Sequence, residues 1–142
     1  RLMAICSRTE KSPYEVRTKM KQWGLEDEAD RIIEELKNEN FIDELRFTLS
    51  FTRDKINFNK WGKTKIKYYL RGHQIDESTI DSALQQIDTG EYSQMIFDEL
   101  AKREKKIKAK HPLQKKAKLY AFARQRGYES DFINQFFSDS GI

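Results

Sequence analysis

Apolar residues recur along this chain at the three- and four-residue spacing of amphipathic helices, and no segment alternates as a strand would. The first clear helix start is at residues 12–15 (SPYE). Ser12 is a good N-cap, Pro13 suits the first helical position, and Glu15 completes a capping box. Gly24 is expected to end this helix in a left-handed conformation.

Further helices follow from the same pattern. A second helix places Ala29, Ile33 and Leu36 inward, and a third runs from about residue 43 to residue 58. The third is apolar on more than one face, which indicates packing from both sides. A long later helix carries one apolar stripe made of Tyr92, Ile96, Leu100 and Ile107.

The apolar pattern repeats with a period of 50 and then 53 residues when Leu25 is aligned with Ile75 and Tyr128. Other core positions then coincide without gaps: Val16 with Ile66 and Leu119, Met20 with Leu70 and Ala123, Ile33 with Ala83 and Phe136. Self-similarity of this length is typical of helical repeats. The sequence therefore predicts an all-α protein of tandem three-helix bundles: an N-terminal helix and repeat 1 in residues 1–59, repeat 2 in residues 60–110, and a two-helix repeat 3 in residues 111–142.

Composition restricts the class of protein. The 142 residues contain one cysteine, Cys6, which excludes an internal disulfide and indicates a reducing compartment. No apolar run approaches the roughly 20 residues that cross a bilayer, and no signal peptide is evident. Because the chain starts at Arg1, we expect that some N-terminal sequence is missing. The expected protein is cytoplasmic, monomeric and without a membrane partner.

Charge alternates strongly between consecutive segments. Lys and Arg outnumber acids in the first helix of each predicted repeat, whereas acids dominate the second. Three segments are basic: residues 1–22 hold six Lys or Arg and two acids, residues 53–71 hold seven and one, and residues 102–126 hold eleven and one. The segments between and after them are acidic: residues 24–47 hold three Lys or Arg and nine acids, residues 75–99 hold none and seven, and residues 127–142 hold none and three. Two interpretations stay open: neighbouring helices balance each other's charge, or the basic helices meet an anionic partner.

The second interpretation predicts a basic strip. The repeat-equivalent residues Lys21, Arg71 and Arg124 are all basic, and stacked repeats would align them. The run from Lys102 to Lys110 is expected to continue the helix with basic residues around much of it. The candidate contact residues for a phosphate backbone or an acidic protein groove are Arg17, Lys21, Lys60, Lys63, Lys67, Tyr68, Arg71, Lys105, Lys108, Lys115, Lys116 and Arg124.

Two aromatic residues lie among these lysines. Tyr68 points away from the apolar face and is a candidate for an exposed contact. Trp61 could stack on a base, or it could form a hydrophobic staple with Ile66 if Gly62 is the N-cap.

No motif for catalysis or metal binding is present in the sequence. His73 and His111 belong to no metal-ligand pattern, and there is no glycine-rich phosphate loop. His73 lies on an apolar stripe and is expected to be half-buried with its hydrogen bonds satisfied. The sequence predicts a binding protein without cofactors or metals, and not an enzyme.

Three segments resemble the RecX family of bacterial regulators of the RecA recombinase. They are residues 12–25 (SPYEVRTKMKQWGL), residues 41–47 (FIDELRF) with 60–70 (KWGKTKIKYYL), and residues 124–128 (RQRGY). The resemblance covers about residues 4–137 in the family's order. Thr48 and Leu45 depart from it modestly. In the second repeat Gly72 stands three residues before Ile75, whereas the family usually places glycine directly before this apolar residue.

The resemblance implies an elongated, curved helical array that binds the groove of the RecA filament on single-stranded DNA. Such a protein would suppress ATP hydrolysis and strand exchange, with roles in DNA repair, recombination and the SOS response. Direct contact with single-stranded DNA would be weak or indirect. Two other functions stay open: a stand-alone nucleic-acid binder that uses the basic strip, and a helical scaffold for an unrelated acidic protein.

Overall fold

All regular structure in the computed structural model, which describes residues 1–142, is helical. The helices are α1 (Leu2–Arg8), α2 (Pro13–Gln22), α3 (Ala29–Asn38), α4 (Glu44–Asn57), α5 (Lys63–Gly72), α6 (Glu77–Gln85), α7 (Thr89–Lys106), α8 (Pro112–Arg126) and α9 (Ser130–Ser140), with a 3₁₀ turn at Glu26–Glu28. The prediction of an all-α protein is confirmed.

The predicted start and end of α2 are confirmed in detail. The backbone N–H of Glu15 donates to Ser12 Oγ at 3.1 Å, and the N–H of Ser12 donates to Glu15 Oε1 at 3.1 Å. This is the reciprocal capping box that satisfies two otherwise unpaired donors at a helix start. At the other end Gly24 has φ +75°, the left-handed conformation that glycine adopts without a Cβ penalty.

The first of two compact units comprises residues 1–52 and 69–84. Its N-terminal core is formed by α1, α2 and α3, whose amphipathic faces bury Val16, Met20 and Ile33 to 4% exposure or less. His73 also belongs to this unit. Its half-buried ring lies 5.4 Å from the ring of Tyr14, and its Nδ1 is 2.9 Å from the carbonyl oxygen of Tyr69, as expected for a satisfied side chain.

The second unit comprises residues 53–68 and 85–142. Its core side chains come from α5, α7, α8 and α9, and the most deeply buried are Ile66, Tyr92, Ile96, Leu100, Leu119, Tyr128 and Ile133. Tyr92, Ile96 and Leu100 confirm three residues of the apolar stripe predicted for α7, whereas the fourth, Ile107, lies beyond the end of the helix and is half-buried. Burial of each such side chain contributes roughly 1.5–3 kcal/mol to the free energy of unfolding.

The helix-ending turn at the aligned positions has the same hydrogen bonding in all three places. The backbone N–H groups of Leu25, Ile75 and Tyr128 each donate to a carbonyl five residues earlier, at 2.9, 3.2 and 3.0 Å. The residues directly before them, Gly24, Gln74 and Gly127, have φ of +75°, +58° and +87°. These are Schellman turns, in which a left-handed residue lets the chain satisfy the last carbonyls of the helix.

Two details differ between these turns. Gln74 adopts the left-handed conformation that glycine provides in the other two, so the displaced Gly72 does not change the turn. Leu25 is 40% exposed, whereas the aligned Ile75 and Tyr128 are 5% and 0% exposed.

The expectation that the basic run stays helical to Lys110 is wrong. Helix α7 ends at Lys106, and Ile107 is extended, with φ −80° and ψ +124°. Helix α8 begins at Pro112, whose ring excludes the α conformation at the preceding His111. The chain must therefore leave α7 early enough to turn towards α8, which places Lys108 and Lys110 outside a helix.

The start of α5 and the end of α8 make a close backbone contact within the second unit. The N–H groups of Gly62 and Thr64 donate to the carbonyl oxygens of Arg126 and Gly127 at 2.7 and 3.1 Å. A Cβ built on Gly62 would lie 2.2 Å from the oxygen of Gly127, and one built on Gly127 would lie 2.5 Å from the backbone nitrogen of Lys65. Unpaired donors of one helix thus satisfy unpaired acceptors of another.

The left-handed Gln74 predicts a stabilising substitution. A non-glycine residue in this conformation costs about 1–2 kcal/mol, so Gln74→Gly is expected to raise the free energy of unfolding by about 1 kcal/mol, measured by urea denaturation. The control Gln22→Gly lies in the last turn of α2 and is expected to lower it by up to about 1 kcal/mol. Equal effects of the two substitutions would contradict the strain at Gln74.

The glycine contact predicts a pair of unequal substitutions. Gly24 and Gly127 both have positive φ in equivalent turns, but only Gly127 faces backbone atoms within 3 Å of a new Cβ. Gly24→Ala is expected to cost about 1–2 kcal/mol in conformational strain, and Gly127→Ala a further ~1–3 kcal/mol because the backbones must separate. Thermal unfolding of both variants measures the difference; equal losses would show that the close approach is not needed.

Candidate functional site

Several of the predicted contact residues in the first unit are engaged in ion pairs. Arg17 Nη2 lies 2.6 Å from Asp30 Oδ1. The guanidinium of Arg71 forms two hydrogen bonds to Glu77, and this contact raises the pKa of Arg71 above its ordinary value. Lys21 is exposed and has no carboxylate within ion-pair distance. For Arg17 and Arg71 the structure favours intramolecular charge balance.

Lys60 and Lys63 form hydrogen bonds through their backbone groups at the start of α5. The hydroxyl of Tyr128 donates to the carbonyl oxygen of Lys60 at 2.7 Å, and the N–H of Lys63 donates to the hydroxyl of Tyr92 at 2.7 Å. Tyr92 in turn donates to Glu129. These contacts fix the loop before α5, in which Lys60 has φ +58°.

The two buried tyrosines, Tyr92 and Tyr128, have hydroxyl pKa values above the ordinary value. Burial raises the pKa of Tyr128 to about 12 from its ordinary value of 10.0, although Arg126 partly opposes this shift. Burial, followed by the hydrogen bond to Glu129, raises the pKa of Tyr92 even further. Both hydroxyls are therefore neutral at physiological pH and serve as structural donors.

The other predicted residues near α5 are more accessible. Lys67 is half-buried and forms no ion pair, and Tyr68 is 72% exposed, as predicted from its position on the helix. The indole ring of Trp61 is half-buried, with the ammonium groups of Lys55 and Lys65 at 4.8 and 4.5 Å from its centroid. The stacking and staple interpretations of Trp61 both stay predictions.

The predicted residues on α7, on α8 and in the segment between them are of two kinds: some contact other groups of the protein, and others form no ion pair. Lys115 pairs with Glu104 at 3.3 Å, Lys116 lies 5.1 Å from the ring centroid of Phe137, and Arg124 reaches the carbonyl oxygen of Tyr128 at 3.4 Å. By contrast, Lys105 and the ammonium of Lys108 are exposed and form no ion pair.

The structure also brings together basic residues that the sequence prediction missed. A cavity of about 480 Å³ between the end of α7 and the middle of α8 is lined by Arg103, Lys106, Ile107, Lys108, Lys118 and Phe122. Of these, only Lys108 belonged to the predicted set. The i, i+4 spacing of Lys118 and Phe122 indicates a shared face of α8, but the sequence could not place that face against α7.

The fold and charge distribution define an all-α protein in which basic and acidic residues are concentrated in alternating segments of the chain. No helix has both the length and the apolar character needed to span a membrane. No group of three or more histidine, cysteine or acidic side chains is arranged to hold a metal ion.

Comparison with known proteins finds similarity to one family. The sequence-family model described as RecX, second three-helix domain, matches residues 43–84. The chain is 32% identical over 136 residues to the Regulatory protein RecX of Clostridium beijerinckii and 28% identical over 127 residues to that of Prosthecochloris aestuarii. These matches cover 94% and 89% of this chain, and 63% and 82% of the relatives. The chain is thus similar to RecX proteins over almost its whole length.

Solved structures show the same fold. A crystal structure of regulatory protein RecX superposes with a TM-score of 0.88 at 21% identity, covering 97% of this chain and 70% of the other. A crystal structure of RecX from Lactobacillus salivarius gives 0.79 at 20% identity, covering 97% and 90%. The present chain spans less than two thirds of the C. beijerinckii relative, at 63% of its length.

The family match groups the helices differently from the repeat prediction. Residues 43–84 contain α4, α5 and α6, whereas the 50-residue period placed α4 at the end of repeat 1 and began repeat 2 at residue 60. The predicted boundaries at residues 59 and 110 stay a prediction.

The Tyr128 hydroxyl predicts a defined alkaline sensitivity. Because its folded-state pKa of about 12 exceeds the ordinary 10.0, its contribution to stability is complete below pH 10 and is lost as pH rises to 12. Urea unfolding between these pH values is expected to show a steeper fall in the free energy of unfolding for the wild type than for Tyr128→Phe. At pH 7 Tyr128→Phe is expected to cost about 1–3 kcal/mol, because the Lys60 carbonyl oxygen loses its nearer donor and keeps only Arg126 Nη1 at 3.5 Å. Parallel pH curves would contradict the assignment.

Proposed function

We propose that this chain regulates the RecA recombinase by binding the RecA filament on single-stranded DNA, and that binding suppresses ATP hydrolysis and strand exchange in DNA repair and recombination. The observation that carries the proposal is similarity to the RecX family, whose matched relatives are each named Regulatory protein RecX. Because the chain spans 63% of the C. beijerinckii relative, this activity is proposed from the family as a whole.

The charge distribution supports action by binding rather than catalysis. Exposed cations such as Lys21, Lys105 and Lys108 lack intramolecular partners and are available to an anionic filament surface. Complementary charge of this kind accelerates encounter and fixes orientation. The single thiol, Cys6, is buried, and burial raises its pKa, which makes a reactive thiolate unfavourable. We place the protein in the cytoplasm as a monomer.

The decisive experiment is a titration of this protein into RecA hydrolysing ATP on single-stranded DNA at near-physiological salt. Free single-stranded DNA is kept in excess so that sequestration of DNA cannot imitate inhibition. Inhibition well below one molecule per RecA is expected, which would indicate action on filament ends or growth. Absence of any effect, from protein that still binds DNA alone, would favour the stand-alone nucleic-acid binder. Capture of a different acidic protein from bacterial lysate would favour a scaffold.

Charge reversal tests the predicted strip. The triple variant Lys67→Glu, Arg71→Glu, Arg124→Glu is expected to weaken inhibition at least about tenfold, because like charges at a protein interface are repulsive. The matched control reverses Arg8, Arg31 and Lys37, which lie outside the predicted set and change the net charge equally. Both variants break surface ion pairs, so circular dichroism and thermal unfolding verify that each remains folded. Inhibition that survives the first triple, or falls equally with the second, would rule out the strip as the contact surface.

A further inference from the structure

The cavity between α7 and α8 concentrates cations that no acidic side chain neutralises. It is lined by Arg103, Lys106, Lys108 and Lys118, and no carboxylate lines it. The nearest acids along α7 are engaged elsewhere, since Glu104 pairs with Lys115 at 3.3 Å and Glu99 pairs with Arg126 at 3.4 Å. Four uncompensated cations around one concave surface repel each other, and a bound anion relieves that repulsion.

The cations are positioned rather than loosely distributed. The guanidinium carbon of Arg103 lies 5.0 Å from the ring centroid of Phe122, and that of Arg126 lies 4.9 Å from the same centroid. A guanidinium held on an aromatic ring keeps its N–H donors free for a phosphate. Lys118 Nζ donates to the carbonyl oxygen of Lys108 at 3.2 Å, which holds the segment after α7 against α8.

The rest of the wall is apolar. Ile107 and Phe122 are half-buried and line the cavity beside the cations. A ligand that uses both parts carries a negative group and a flat apolar group within a few ångströms of each other. An unpaired nucleotide has this combination, because its base can lie on apolar side chains or on an arginine plane while its phosphate meets lysine and arginine. The carboxylate of an acidic peptide would leave the apolar wall unused.

The surroundings favour a strand over a free nucleotide. Residues 102–126 carry eleven Lys or Arg and one acidic residue, so positive charge continues well beyond the cavity. Lys105 and Lys110 are exposed on this segment but do not line the cavity. A single nucleotide would not reach these residues, whereas the neighbouring phosphates of a strand would. Bases in a duplex are stacked and paired, and thus cannot enter.

We infer that this cavity binds one unpaired nucleotide of single-stranded nucleic acid, with the phosphate on Lys106, Lys108 and Lys118 and the base against Ile107 and the guanidinium plane of Arg103, which the Phe122 ring holds. The biological role of the site rests on the proposed function, because the strand would be the one that carries the filament. The binding itself requires no RecA, so it can fail or hold independently of filament regulation.

Fluorescence anisotropy with a labelled oligothymidine tests the site in the absence of RecA. The variant Lys106→Gln, Lys108→Gln removes two cavity cations and leaves the contact of Lys118 with the Lys108 carbonyl oxygen in place, whereas Arg8→Gln, Lys19→Gln removes two exposed cations of the first unit. The cavity pair is expected to weaken binding at least about tenfold more than the control pair, and to reduce the salt dependence of log K by roughly 0.7, the slope of the one phosphate contact that is lost. Equal losses from the two pairs would overturn the proposal in favour of unspecific attraction.

The variant Phe122→Leu distinguishes the contribution of the base to binding from that of the phosphate. It retains apolar volume but removes the ring that holds the Arg103 guanidinium in place for the base. It is therefore expected to weaken single-strand binding about fivefold to a hundredfold, given about 1–3 kcal/mol per stacked base. Its salt dependence and its binding to duplex of the same length are expected to match the wild type. Photocrosslinking of 5-iodouracil oligonucleotides is expected to label residues 103–122.

Three results would overturn the inference: duplex bound as tightly as single strand, crosslinks confined to other helices, or ATP competing at lower concentration than the oligonucleotide. Thermal unfolding of each variant verifies that it is folded. Loss of oligonucleotide binding with intact RecA inhibition would support the cavity while showing that inhibition does not need it. Retained cavity binding without RecA inhibition would support the cavity and reject the proposed function.

Discussion

The second compact unit depends on the junction where the end of α8 meets the start of α5. Two N–H groups at the start of α5 find acceptors on Arg126 and Gly127, and the third finds the hydroxyl of Tyr92. The positive end of one helix dipole also meets the negative end of another, which is favourable. Only glycine at positions 62 and 127 lets the two backbones approach this closely. The buried tyrosines complete the junction from the side and keep water from competing for these hydrogen bonds.

Local chemistry along the chain was sufficient to predict most of the fold. The capping box at Ser12, the left-handed Gly24 and the burial of Val16, Ile66 and Leu119 all follow from spacing and residue type, because each depends on neighbours within a few residues. The end of α7 was not predicted, because residues 102–110 contain no glycine or proline to mark where the helix stops. Gln74 shows the converse: a turn closed by its own hydrogen bonds forms even where glycine is missing.

The sequence predicted which segments are basic, but not where their side chains lie in the folded protein. Counting charges located the basic segments, yet it could not distinguish Arg17, Arg71 and Lys115, which are engaged by carboxylates, from cations without partners. That distinction depends on which acidic helix packs nearby, and a repeat alignment contains no such information. The cavity at Arg103 and Phe122 was missed for the same reason. It forms only where α7 packs against α8, and the sequence does not show which faces of the two helices meet.

The contact between Gly62 and Gly127 also has a consequence for how the chain reaches its folded state. Helical proteins fold fast when their contacts are local, but this contact joins positions about 65 residues apart, so loop-closure entropy must be lost before α5 gains its capping acceptors. Helices α7, α8 and α9 are contiguous in sequence and can form without it. The start of α5 is therefore expected to be among the last parts of the second unit to become ordered, and the first to open when the protein unfolds.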